Sequence, residues 1–402
     1  MSENFKFVQT TERQKEKYNL DFLNVETAKK IKEYHESFPI YEPTPLVDLK
    51  NLANYLGVKD VLLKDESYRF GLNAFKVLGG SYAIGEYIAE KLGKDISELS
   101  YEEIISDEVR KELGDLTFIT ATDGNHGRGV AWTANLLKQN CIVYMPHGSA
   151  EERVKNIEAE GAEVTVQDMN YDACVRLANE NAEKNGWVMV QDTAWDGYED
   201  IPKWIMQGYM TMAYEAYEKM EKEGKRPTHI FLQAGVGSLA AAVTGFFTNV
   251  YSDDKPIITI VEPDVADCLY QSACKMERVC VGGKMQTIMA GLACGEPNTV
   301  GFEVLMDYAE NFISVTDEYA AHGMRILAAP MKGDQQVISG ESGAAPLGAI
   351  AKAIKVESLK EYKEKMKIDE NSVLLFFSTE GDTDQKNFVD VVWDGLYPSD
   401  IK

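Results

Sequence analysis

Three glycine-bearing segments of this 402-residue chain set reactive side chains beside flexible backbone. In Gly71-Leu-Asn-Ala-Phe-Lys-Val-Leu-Gly-Gly80, Lys76 is flanked by Phe75, Val77 and Leu78. A lysine in such apolar company either snorkels its ammonium to water or is kept as a desolvated amine of lowered pKa. Thr120-Ala-Thr-Asp-Gly-Asn-His-Gly127 puts Asn125 and His126 at the expected start of a helix, where consecutive N–H groups can cradle a carboxylate. His126 serves equally well as a hydrogen-bonded cap. Asp123 before Gly124, and Asp192 before Thr193, stand where aspartate commonly forms an Asx turn or N-cap. The third segment, Gln233-Ala-Gly-Val-Gly-Ser-Leu-Ala240, follows the strand-like HIFLQ and precedes an alanine-rich helix. Gly235 and Gly237 would let the backbone approach an oxyanion at that helix N-terminus. The spacing is neither a dinucleotide G-x-G-x-x-G nor a P-loop, and a tight packing turn is the alternative. Together, an oxyanion loop, a lysine and an asparagine-bearing turn are the parts a phosphate-bearing aldehyde cofactor requires, because lysine forms a Schiff base with such a carbonyl.

In this combination the chain resembles the fold-type II pyridoxal-phosphate enzymes, the group of the tryptophan synthase β-subunit and threonine dehydratase. The resemblance runs from about Pro43 to Asp384, with the motifs in the family's order. It implies that Lys76 is the Schiff-base lysine, with Phe75 before it, and that Asn125 of the Gly124-Asn-His-Gly127 turn bonds the ring hydroxyl. Gly235, Val236, Gly237 and Ser238 would grip the phosphate, and Ser378, or less readily Thr379, would face the ring nitrogen. Glu341, in Ser-Gly-Glu-Ser-Gly-Ala, falls where the family has an E-x-x-A stretch near the ring. Ala121 to Trp132, Gln191 to Tyr198, Trp204 to Gly208 and Thr379 to Asp384 further resemble the diaminopropionate ammonia-lyase family. Serine and threonine dehydratases carry Ser-Ser-Gly-Asn-His, where this chain has Asp123 in the second position.

The resemblance implies a carbon–nitrogen lyase that eliminates ammonia from 2,3-diaminopropionate, in both enantiomers, giving pyruvate and two ammonia. Lys76, Asp123 and Asp192 would be catalytic. Thr122, Asp123, Asn125, His126 and Asp192 would bind substrate, with the N–H groups around Thr122 to His126 on its carboxylate. The alternative is a serine or threonine dehydratase, or a β-replacement synthase, of the same fold. A homodimer is also implied.

Positioning these residues falls to short apolar β-branched runs that alternate with amphipathic stretches, the pattern of β-α units around a parallel sheet. Strands are predicted at residues 61–64, 116–120, 141–145, 163–167, 187–191, 229–232, 257–262 and 373–377. Helices are predicted at 151–160, closed by Gly161, and at 201–223, with Pro202 in the first turn and Gly224 beyond the end. The expected fold class is α/β: two open, mainly parallel twisted sheets flanked by helices, with the site between domains. Residues 1–89 and 198–402 would form a large cofactor-binding domain, and 90–197 a small one carrying the Asn-His-Gly turn.

Sixty-five acidic against 41 basic residues leave a formal charge of −24, which argues against a nucleic-acid or anionic-membrane partner. No apolar leader opens the sequence, and no run has a membrane span's length. The six cysteines lack metal-site spacing, so no metal is expected and reduced thiols in the cytoplasm are. Pairing of Cys268 with Cys294 is left open.

Overall fold

The computed structural model describes residues 4–10, 13 and 15–398. Parts of the N-terminal stretch read as leaderless, and the last four residues of the expected large domain, lie outside them. Eleven strands are present among the described residues: β1 (Phe5–Gln9), β2 (Leu46–Asp48), β3 (Asp60–Asp65), β4 (Thr117–Ala121), β5 (Asn140–Met145), β6 (Glu163–Val166), β7 (Val188–Met189), β8 (His229–Gln233), β9 (Ile257–Pro263), β10 (Asn311–Val315) and β11 (Val373–Ser378). Seven form one sheet in the order β1-β10-β9-β8-β11-β3-β2, and four form a second in the order β6-β5-β4-β7. The small sheet is parallel throughout. In the large sheet only the edge strands β1 and β2 run antiparallel to their neighbours.

The interior strands are apolar because helices cover both faces of a parallel sheet. Every residue of β8, β10 and β11 is buried. One apolar cluster, with Leu347, Ile350, Leu374 and Phe376, fills one side of the large sheet. The main core, with Leu78, Met206, Phe246 and Phe377, occupies the other side and continues under the small sheet.

Eight strands fall within a few residues of their predicted places, and β1, β2 and β10 were not anticipated. The strand β2 is three residues long, and β1 is a half-exposed edge. In β10 the apolar run is broken by Asn311 and Ser314, both fully buried. Asn311 donates to Thr259 Oγ1 at 3.1 Å and Ser314 to Asp267 Oδ2 at 2.8 Å, so side-chain partners replace apolar patterning there. The run 187–191 pairs only at Val188 and Met189 before its chain leaves the sheet toward the site.

The long helix Asp200–Glu223 ends on Gly224 in the left-handed conformation. Midway along it, Gly208 meets the helix Val77–Leu92 so closely that a Cβ would stand 2.3 Å from Leu78 O. That contact fixes the start of the Val77 helix, and hence Lys76. Among the described residues, no helix is long and apolar enough to cross a membrane. All six cysteines are free, with Cys268 and Cys294 buried and unbridged.

Candidate active site

The chain leaving the carboxyl ends of β4, β7, β8 and β11 converges on one cavity, as ligand sites of open α/β sheets do. Lys76 immediately precedes the Val77–Leu92 helix. Its position is set by Phe75, whose N–H donates to Thr379 O at 3.0 Å and whose ring lies 4.7 Å from that of Tyr209. The Lys76 side chain is 17% exposed and its ammonium pairs with Asp192, so it does not snorkel outward. Nor is its pKa lowered. Burial pushes it down, but the opposing pull of Asp192, with Asp123 and Tyr209 contributing, raises it above the ordinary lysine value.

Asp192 is held at both carboxylate oxygens and at its backbone carbonyl. Its Oδ2 faces Lys76, and its Oδ1 accepts from Tyr171 OH and Gln191 Nε2, each at 3.2 Å. Its backbone carbonyl accepts from the Ser238 hydroxyl and from Asn298 Nδ2. Burial raises this carboxyl, but Lys76 and His126 outweigh burial and hold it below the usual range.

The turn after β4 is tied internally by Thr122. Its hydroxyl oxygen accepts from Gly124 N–H at 2.9 Å and Gly127 N–H at 3.0 Å, while its own N–H donates to Tyr144 O. Two of the turn's donors are thus taken up by Thr122, while Asp123, Asn125 and His126 line the cavity. The His126 ring bonds Val190 O through Nε2 at 2.8 Å, leaving Nδ1 without a partner. Burial lowers its pKa, against the upward pull of Asp192. Asn125 Nδ2 donates to Glu380. Asp123 Oδ2 lies 3.3 Å from Arg153 Nη1. Burial pushes Asp123 above the ordinary aspartate value, and Arg153 and Lys76 offset part of that rise.

Opposite this turn, Gly235, Val236, Gly237 and Ser238 lead into the helix Ser238–Val250. Gly237 has φ +99°, which favours glycine, and a Cβ there would lie 3.1 Å from Leu269 Cδ1, a tight fit. Beyond it the first helical N–H groups have no intrahelical acceptor.

The cavity wall includes Phe75, Lys76, Thr122, Asp123, Asn125, His126 and Asp192 together with residues 235–238. Ser378 and Glu341 are not in it. Ser378, at the end of β11, donates to Ser339 Oγ at 2.8 Å, and its neighbour Thr379 takes the place in the wall, accepting from Gln233 Nε2 at 2.7 Å. The Glu341 carboxylate accepts from Asn387. Burial and the nearby Glu380 push it up to about 7, while Ser342 beside it reaches the wall. Sequence reasoning missed Tyr171, Gln233, Arg153 and Glu380. Glu380 and Gln233 carried a signal, lying within the Thr379–Asp384 and Gln233–Ala240 stretches singled out above. Tyr171 and Arg153 are distant in sequence from every motif.

Outside the inner cavity lies a vestibule of about 540 Å³ that shares Asp123, Tyr171 and Cys294 with it. An amine, two carboxylates and a helix N-terminus thus surround one cavity. A profile of the pyridoxal-phosphate dependent enzymes matches residues 38–368. The chain belongs to that family. Among pyridoxal-phosphate dependent enzymes it is 52% identical over 371 residues to the diaminopropionate ammonia-lyase of Escherichia coli strain K12, covering 92% of each chain. It is 24% identical over 355 residues to a biosynthetic L-threonine dehydratase of Staphylococcus aureus, covering 86% of this chain and 72% of that one. It superposes on the crystal structure of the Escherichia coli diaminopropionate ammonia lyase in complex with D-serine with a TM-score of 0.92, at 48% identity over 98% of both chains. The fold is therefore the fold-type II α/β architecture of two mainly parallel sheets.

The cofactor of the family is pyridoxal 5'-phosphate, and the cavity suits it. Buried polar atoms without partners, Gln233 Oε1, Glu380 Oε1 and Ser342 Oγ, lie in its wall. They face a volume that also holds the Lys76 amine and the oxyanion-binding start of the Ser238 helix.

Proposed function

We infer that this chain is a diaminopropionate ammonia-lyase, a carbon–nitrogen lyase that uses one water to convert 2,3-diaminopropionate to pyruvate and two ammonia. The observation that carries the reading is the pair of carboxylates, Asp123 and Asp192, lining one cavity with Lys76. A doubly aminated substrate suits such carboxylates better than a neutral β-hydroxyl does, and the relative at 52% identity bears this activity in its name. The dehydratase reading rests only on relatives such as the one at 24%.

Lys76 would hold the cofactor covalently, residues 235–238 its phosphate, and Asn125 with Ser378 or Thr379 its ring. When bound, pyridoxal phosphate supplies an electron sink for negative charge at the substrate Cα. The N–H groups of Asp123, Asn125 and His126 orient the substrate carboxylate. Lys76 Nζ takes the Cα proton of the L-isomer. With carboxylate and amine anchored alike, the Cα–H bond of the D-isomer points the opposite way and needs its own base, the role assigned to Asp123. Asp192 holds the β-ammonium and selects diamines over serine.

The two sheets support a division into residues 1–89 with 198–402 and residues 90–197, although the helix Val77–Leu92 crosses the first boundary. The unbridged cysteines support work in the reducing cytoplasm. A homodimer is the expectation from the family. The function is tested by recording the visible spectrum of the purified protein before and after adding diaminopropionate, with pyruvate assayed in the same tube. Initial rates on serine are compared. A colourless protein, or faster turnover of serine, overturns the reading.

A further inference from the structure

Arg153 is the one side chain besides Ile157 that the helix Glu151–Ala159 buries. An arginine has thus taken a core position on an otherwise solvated helix, at 5% exposure. Its stem lies across the turn below, where a Cβ on Gly124 would stand 3.1 Å from Arg153 Cδ. Gly124 has φ +156°, and its lack of a side chain lets the stem pass. The guanidinium ends 3.3 Å from Asp123 Oδ2, at the border between the inner cavity and the vestibule. Burying a guanidinium there is costly unless it answers a specific charge.

We propose that Arg153 is a positioning residue for the Asp123 carboxylate, holding it ionised and turned into the cavity so that it can serve the D-isomer. The inference rests on the base role given to Asp123 above. The charges facing Asp123 are Arg153 and Lys76, which favour its ionised form, and Glu380, which opposes it. Arg153 in turn is faced by Glu380, Asp123, Glu341 and Asp384. Lys76 is already engaged by Asp192, which leaves Arg153, shared with Glu380, as the cation paired with Asp123 at 3.3 Å. Remove it, and a half-buried carboxylate stands beside Glu380 with less to offset burial. Its protonation then moves to higher pH.

The test uses the holoenzyme and the variants Arg153→Gln and Arg153→Lys. In Arg153→Gln the acid limb of kcat/KM for D-diaminopropionate should move up by about one pH unit or more, the effect of losing a near opposite charge. The limb for the L-isomer should stay within a few tenths of its place. Arg153→Lys keeps the charge and should restore most of the wild-type limb. A readout independent of turnover is the titration of Asp123 in protein carrying ¹³C-carboxyl aspartate, its resonance identified by its loss in Asp123→Asn. That titration should rise in Arg153→Gln by the same amount as the limb. An unmoved Asp123 resonance overturns the proposal whatever the substrate is, as does a limb displaced equally by Gln and Lys. If the resonance shifts as expected but Asp123→Asn slows both isomers alike, Arg153 keeps its hold on Asp123 and only the stereochemical assignment falls.

Discussion

At the scale of single residues, the cavity is an ion pair waiting to be separated. Lys76 and Asp192 stabilise each other's charged forms, so the lysine must give up its proton before its amine can join the cofactor carbonyl. Borohydride reduction followed by peptide mapping should place the pyridoxyl label on the peptide spanning Asn73 to Leu78. Lys76→Ala should retain some cofactor through residues 235–238 yet lose nearly all turnover. A label on another lysine would sink the cofactor assignment. A carboxylate base or ion partner is typically worth about 10²–10⁴-fold in rate. Asp123→Asn should therefore cost that much with the D-isomer and far less with the L-isomer, whereas Asp192→Asn should slow both. Steady-state rates on the separate enantiomers decide this, and equal losses in Asp123→Asn would return Asp123 to a binding role. Asp192→Asn should also leave the Lys76 amine without its main partner and lower its pKa.

At the scale of elements, the site is made of strand ends and helix starts, and the turn after β8 is the most constrained of them. Gly237 combines a positive φ with leucine side chains close to where a Cβ would stand. Gly237→Val should distort the start of the Ser238–Val250 helix and turn its N–H donors from the phosphate. Cofactor affinity should fall, with activity partly recovered at high added cofactor. Fluorescence titration of the apoprotein measures this, and unchanged affinity would make the loop a packing turn only. The elements themselves were legible where a strand is an unbroken apolar run, as in β8 and β11. They were not legible where burial is satisfied by hydrogen bonds, as at Asn311 and Ser314 in β10, because periodicity records apolar burial alone.

At the scale of the whole molecule, a buried network ties the segment leading to Lys76 into the frame. Arg69, fully buried, bonds Glu66 and Glu215, and Lys64 at the end of β3 pairs with the same Glu215 of the Asp200–Glu223 helix. Tyr41 donates to Glu215 Oε1 at 2.7 Å. Glu215→Ala would leave two cations facing a single carboxylate, Glu66. Breaking a buried pair in this way costs about 3–5 kcal/mol, so a lowered Tm in calorimetry is expected; a Tm within a degree of wild type would contradict it. Burial opposes ionisation of Glu215, but Arg69 and Lys64 depress its pKa below the ordinary glutamate value. Its contribution is therefore full at neutral pH and disappears only as pH falls through that depressed value. The variant should lose this part of the acid dependence of stability. Sedimentation velocity should show a single species of twice the chain mass.

The sequence by itself determined the α/β class, the strands that are continuously apolar, and the three glycine turns with Lys76, Asn125 and residues 235–238. Local constraints write these into neighbouring residues: a helix start needs its glycine and cap, and a buried strand its run of β-branched side chains. Only the tertiary structure decided that Lys76 points inward to Asp192, that Thr379 rather than Ser378 reaches the cavity wall, and that Thr122 takes up two of the turn's donors. Arg153, 30 residues from Asp123, belongs to the same group. Side-chain direction at a strand end, and the meeting of distant charges, depend on how two sheets are packed together. No short window of sequence contains that information, because the energy that fixes it lies between elements.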